Sequence, residues 1–202
     1  MPEQSSMHFH LNWAKERIDE MDAVLASLEV KAGQAKAESM LKLDQIVADL
    51  TKRRGEFQAR LKTQAEAGEA AWERTKADLE NQWSGFEAQM KTYFESAGKQ
   101  IEQQQATFTD IAAAQAKAWR EAAGQFRDAA SKTVAARSVD VDAALKQMKI
   151  DASEAEARLE KLKQAGSESW SVLSAALAES RKAFDQSNHA AWKAVKGLGT
   201  KS

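Results

Sequence analysis

His8 and His10 stand one residue apart near the start of the chain, while the third histidine, His189, is far away in sequence. Two imidazoles at that spacing hold a metal only weakly, because a firm site needs three or four ligands and no third one stands beside them at helical spacing. The pair therefore reads as solvated. Carboxylates are plentiful, yet none sits in an apolar or glycine-rich setting of the kind that shifts a pKa for acid–base work. With no phosphate-cradling loop, nucleophile elbow, metal-binding helix motif or cysteine, the sequence offers no catalytic, cofactor-binding or metal residues, and no enzyme is expected.

Two other groups invite attention. Lys52, Arg53 and Arg54, followed by Arg60 and Lys62, form the densest basic patch, interrupted by Glu56. Pairing with acidic residues on a neighbouring helix explains them more simply than phosphate or anionic lipid. The second group is aromatic, 6 Trp and 7 Phe, many for a chain of this kind. Trp72, Trp83, Phe86, Phe94, Phe108, Trp119, Phe126, Trp170 and Phe184 recur at helical spacing and read as knobs of a packed core. Trp13 and Trp192 fall one position off the apolar stripes, so they are expected to be exposed. With Lys52, Arg53 and Arg54 they are the candidate interaction residues. Gln103, Gln104 and Gln105 lie on and beside a stripe, where they would fix register or mark a thin core.

The elements that carry these residues are helices. Among the 202 residues, Ala, Glu, Lys, Leu and Arg number 102, about half, a balance found in long helices and coiled coils. Leu, Ile, Val and Phe number only 34, so apolar surface must be spread along narrow stripes. Low apolar content signals disorder when net charge is large, and here the net charge is −1. No run of about 18 apolar residues suggests a membrane span, and a cytoplasmic address is the default. The near-zero net charge also argues against a general nucleic-acid partner.

Apolar residues recur at alternating steps of three and four along three stretches, which predicts helices over about 5–64, 69–136 and 140–197, with a short tail at 198–202. The only proline is at position 2, so nothing forces a kink. Trp72, Trp83 and Phe94 recur every eleven residues, which points to mixed heptad and hendecad packing. Gly68 suits a left-handed cap in a turn at Gln64 to Glu69, and Ser138 or Asp140 suits a helix start in a turn at Arg137 to Asp142. Segment charges of −4 over 1–30, +4 over 31–62, −5 over 63–110, +3 over 111–149 and +1 over 150–202 set opposite signs together only if the helices run up, down and up. The expected fold is an all-α, elongated, antiparallel three-helix coiled coil, with helices of ~60 residues and roughly 90 Å.

The runs Phe9 to Leu28, Gln103 to Ala122 and Gly166 to Trp192 resemble poorly characterised bacterial coiled-coil proteins. That resemblance implies a coiled-coil or stress-response protein, sometimes apolipoprotein-like, and carries no catalytic residues. Three helices of this length also look like a BAR-type membrane-curvature module, although the strongly basic face of such modules is missing. The function expected is non-enzymatic interaction or scaffolding, with the chain itself or another helical protein as partner. The alternative is a peripheral, lipid-associated helical protein.

Overall fold

The computed structural model describes the backbone of residues 3–33, 37–67, 69–96, 101–131, 139–166 and 169–198, and side chains over most of those segments. All of the secondary structure described is helical: α1 Glu3–Ala32, α2 Ala37–Ala67, α3 Glu69–Ser96, α4 Ile101–Ser131, α5 Val139–Ala165 and α6 Trp170–Leu198. The all-α expectation holds. Three helices of some 60 residues do not form, because each expected helix divides into two. The chain turns back between Ala32 and Ala37, between Ser96 and Ile101, and between Ala165 and Trp170. The turns expected at 64–69 and 137–142 lie where α2 meets α3 and α4 meets α5; their capping residues Gly68 and Ser138, and the tail beyond Leu198, lie outside the described residues.

Unbroken apolar phase hid the three extra reversals. Stripe continuity shows which face of a helix is buried, and a helix that ends and restarts in phase looks the same as one that continues. Gly166 marks the last reversal: its φ is +66°, a left-handed conformation that glycine adopts without strain and that commonly ends a helix. Gly33 donates to the Glu29 carbonyl at 3.2 Å as α1 ends.

Six helices of 27 to 31 residues, about 40–47 Å long by helical rise, run alternately up and down. Cross-links between side chains fix these directions. Arg54 meets Asp22 across α1 and α2, and Arg60 meets Asp78 across α2 and α3. Ser27 meets Thr107 across α1 and α4, and Arg158 meets Glu179 across α5 and α6. In cross-section α1, α3, α6 and α4 form a central four; α2 rests on α1 and α3, and α5 rests on α4 and α6. α1 touches α2, α3, α4 and α6, and α6 touches α1, α3, α4 and α5, so these two helices have the most neighbours. The charge segments also match this layout, since −4 over 1–30 lies against +4 over 31–62, which lies in turn against the acidic start of 63–110.

All nine stripe aromatics are buried. They belong to two apolar clusters, one built largely on α1, α2 and α3 and the other on α4, α5 and α6. Trp83 stacks on Phe86 at 5.8 Å, Phe94 lies 4.2 Å from Trp170, and Trp119 meets Phe184 edge-on at 5.2 Å. No described helix is long and apolar enough to cross a membrane.

Truncating a buried aromatic to alanine costs about 3–5 kcal/mol, so Phe57→Ala and Phe86→Ala, each removing a ring with 0% exposure, should each lower the thermal midpoint by many degrees. A midpoint unchanged in either variant, read by circular dichroism, would contradict the packing described.

Candidate functional site

The strongest concentration of chemistry lies inside the bundle, where α1 meets α6. On α1, Asn12, Glu16 and Glu20 recur every four residues, with Arg17 beside them; on α6, Arg181, Asp185 and Asn188 follow at steps of four and three. These spacings place each set on one helix face. Because the two helices are antiparallel, the sets meet in reverse order. Asn12 donates to Asn188 at 3.3 Å, Arg17 clasps Asp185 with two bonds of 2.8 and 2.6 Å, and Arg181 clasps Glu20 with two of 3.0 and 2.7 Å. Such paired, planar bonds are the strongest form of arginine–carboxylate contact.

Neighbouring helices complete the cluster. Gln115 of α4 donates to both Glu20 (2.8 Å) and the Leu177 carbonyl (3.1 Å), and Glu87 of α3 accepts from Arg181 at 2.7 Å. Each guanidinium also lies 4.5 Å from an indole centre, Arg17 over Trp13 and Arg181 over Trp83, so cation–π attraction adds to the ion pairs.

Burial this deep demands charge balance. Glu16 and Glu20 are each only 1% exposed. Burial drives the Glu16 carboxyl well above the usual carboxylate range; Arg17, which donates to it at 2.7 Å, counteracts this, and the charge of Glu20 adds to the rise. Burial pushes Glu20 the same way, but Arg181 overcomes it and holds that carboxyl below its ordinary value. Glu16 therefore holds its proton more tightly than an ordinary carboxyl and Glu20 less tightly, with the hydrogen bond between the two adding to the split. Two deeply buried guanidiniums face the carboxyl groups of Glu16, Glu20 and Asp185, with Glu87 at the margin. Both arginines are held charged, raised by their carboxylate partners against the opposing effect of burial.

The cluster has no room for a substrate. The space among Asn12, Glu16, Ala118 and Phe184 measures about 10 Å³, at the limit for one water. Its chemistry is that of a lock between helices. Among the described residues no group of three His, Cys, Asp or Glu could hold a metal.

The expected interaction residues are placed differently. Trp13 and Trp192 are buried, at 4% and 3% exposure, which corrects the expectation that they face solvent. α1 and α6 each bury more than one face, so a position off the main stripe is still inside. Trp13 packs on Phe57 and Trp72, while Trp192 meets Phe126 edge-on at 5.9 Å and donates to Asn188 at 3.0 Å. His10, expected in solvent, is buried and stacks on Trp72 at 4.4 Å; the side chain of His8 lies outside the described residues. Lys52 and Arg53 are exposed, with Arg53 donating to Gln89 at 2.9 Å. Arg54 pairs with Asp22 of α1, and the side chains of Glu66, Glu69 and Glu73, the acidic partners expected for this patch, lie outside the described residues. Gln103 and Gln104 tie the start of α4 to the end of α3, accepting from the Tyr93 hydroxyl and donating to the Phe94 carbonyl.

A second feature is open to solvent. α4 and α5 leave between them a groove in two linked sections of about 610 and 550 Å³ that share Thr109 and Lys163. Its walls are small: Ala112, Ala113 and Ala116 on α4, Ser153 and Ala157 on α5. Charged groups of both signs stand along it: Glu156 paired with Arg120 and Glu160 paired with Lys163 in the inner section, and Glu102 and Asp110 in the outer. Burial pushes the Asp110 carboxyl up. Compared with family models, curated proteins and solved structures, the chain finds no match in any of the three.

The two buried glutamates should respond oppositely to mutation. Breaking a buried ion pair from one side costs about 3–5 kcal/mol, so Glu20→Gln should be strongly destabilising, with the loss toward the lower figure because Arg181 retains Glu87. Glu16→Gln keeps the shape of the protonated carboxyl and removes the cost of burying an ionisable group, so at pH 7 it should lose far less stability than Glu20→Gln or gain some. The lowered pKa of Glu20 makes its contribution complete at neutral pH and lost as pH falls through that lowered value. The raised pKa of Glu16 makes its contribution complete below the ordinary value of 4.5 and lost as pH rises from there toward the raised value. Glu16→Gln should therefore flatten stability between pH 4.5 and neutrality, measured by denaturant unfolding. Equal losses from the two variants would refute the opposite pKa shifts of the two carboxyls.

Proposed function

We propose that the protein is a non-enzymatic helical scaffold whose binding surface is the groove between α4 and α5. The groove itself carries this reading: an open channel with alanine and serine walls accepts the side of a helix at close range, and its charged edges offer pairing to whatever lies in it. The titratable cluster supports a structural use for the chain's buried charge, since each guanidinium there is bonded to a carboxylate and the adjoining space is too small for a substrate.

The lipid-associated alternative draws less support. A helix lying in a membrane interface presents its aromatic residues to the lipid, and the stripe aromatics here, with Trp13 and Trp192, lie inside the bundle.

A photo-crosslinking amino acid at Ala113, in the groove, should capture a protein in cells that make this chain, while the same group at Ala178, exposed on α6, should not. Equal capture from both positions, or none from Ala113, would defeat the groove reading. Purified protein should stay in the supernatant when anionic vesicles are sedimented; protein that pellets with them would favour the lipid reading instead.

A further inference from the structure

We infer that the occupant of the α4/α5 groove is α2 of a second copy of the chain, in a head-to-tail contact that repeats. This rests on the groove being a binding surface, and it names what fills it.

α2 and α5 lie on opposite sides of the bundle, because α2 touches α1 and α3 whereas α5 touches α4 and α6. α2 buries Leu43, Leu50, Phe57 and Gln64, one residue in every seven, so its opposite crest carries Ala48, Lys52, Gly55, Ala59 and Thr63. All five are exposed, and four of them are short. A Cβ placed on Gly55 would meet nothing within 4 Å. A helix crest with short side chains can enter a channel whose walls are alanine and serine and approach at the close end of the usual 8–10 Å axis separation.

Charge points to the same pairing. Lys52 stands on the crest and Lys62 beside it, both exposed, and the structure gives neither an ion pair with a described residue. The outer groove presents Glu102 and Asp110, and Asp110 likewise has no ion pair or hydrogen bond with a described residue. A lysine arriving from another copy supplies the cation that this partly desolvated carboxylate lacks. α2 itself, Ala37–Ala67, holds six basic and five acidic residues, so the match with the groove lies in the placement of Lys52 and Lys62 rather than in net charge. Because crest and groove are different surfaces on opposite sides, the contact is heterologous and each added copy exposes a fresh groove and a fresh crest; such contacts build open chains unless the rotation closes a ring.

Two variants test this through complementation. Ala113→Trp fills the groove and leaves the crest intact, and Ala59→Trp puts a ridge on the crest and leaves the groove intact; both positions are exposed, so unchanged helicity by circular dichroism is expected. In sedimentation equilibrium the wild-type chain should rise with concentration beyond twice its 22.2 kDa mass. Each variant alone should stay at the monomer mass. An equimolar mixture of the two should stop at a dimer, since one good groove and one good crest remain. Should either tryptophan variant lose helicity, Ala113→Arg and Ala59→Arg replace the pair under the same logic, since the blocked crest and the blocked groove then repel each other. A wild-type chain that remains a monomer at its highest soluble concentration, variants that still associate alone, or a mixture that stays monomeric would overturn the inference. Capture of a different protein from Ala113, with the wild-type chain monomeric, would overturn it while leaving the groove reading standing.

Discussion

Glu20 is 1% exposed and charged, and the group that makes this tolerable is Arg181, clasping it with two short bonds from α6. Removing a carboxylate from water costs several kcal/mol, and the cost is met only where a cation and further donors stand in good geometry. That requirement is strict in position. Sliding α6 along α1 by one turn would separate Glu20 from Arg181, Asp185 from Arg17 and Asn188 from Asn12 together. Apolar stripes tolerate such a shift, since one alanine replaces another. The polar ladder therefore selects one register from several that the stripes alone would allow.

The same constraint explains where the core divides. Apolar contacts gather in two clusters, and the ionic groups lie where α1, α3, α4 and α6 converge. A chain with so few large aliphatic residues cannot fill a six-helix interior with them. Indole rings and guanidinium planes take up the remaining volume, each arginine lying over a tryptophan. At the surface, pairs such as Arg60–Asp78 and Arg158–Glu179 are exposed on both sides and contribute little each. Specificity of the fold rests on the interior pairs.

Helix content, the buried aromatic stripes and two of the five reversals were legible in the sequence, because composition and spacing speak directly to them. The other three were not. α1 and α2 join in phase from Leu28 to Leu43, and a continuous stripe carries no mark of a chain that doubles back. Trp13 and Trp192 were misplaced for a related reason: a single stripe describes a helix with one buried side, whereas α1 is covered by four neighbours. Glu16, Glu20 and Arg181 went unnoticed because charged residues on a helix usually face water. Their signal was nevertheless present, in the four-residue spacing of Asn12, Glu16 and Glu20 and its complement in Arg181, Asp185 and Asn188. The groove depends on how α4 and α5 pack against each other, which no pattern within either helix encodes.

If α1 and its polar ladder with α6 organise the bundle, opening them requires opening everything else, whereas α2 and α5, with two neighbours each, can loosen first. Native-state hydrogen exchange measures this residue by residue. The slowest backbone amides should lie in α1 from Trp13 to Val24 and in α6 from Leu177 to Asn188, exchanging only through global unfolding, with α2 and α5 exchanging faster. Slowest exchange in α2 or α5, or amides around Glu16 and Glu20 exchanging as fast as those of the outer helices, would contradict this account.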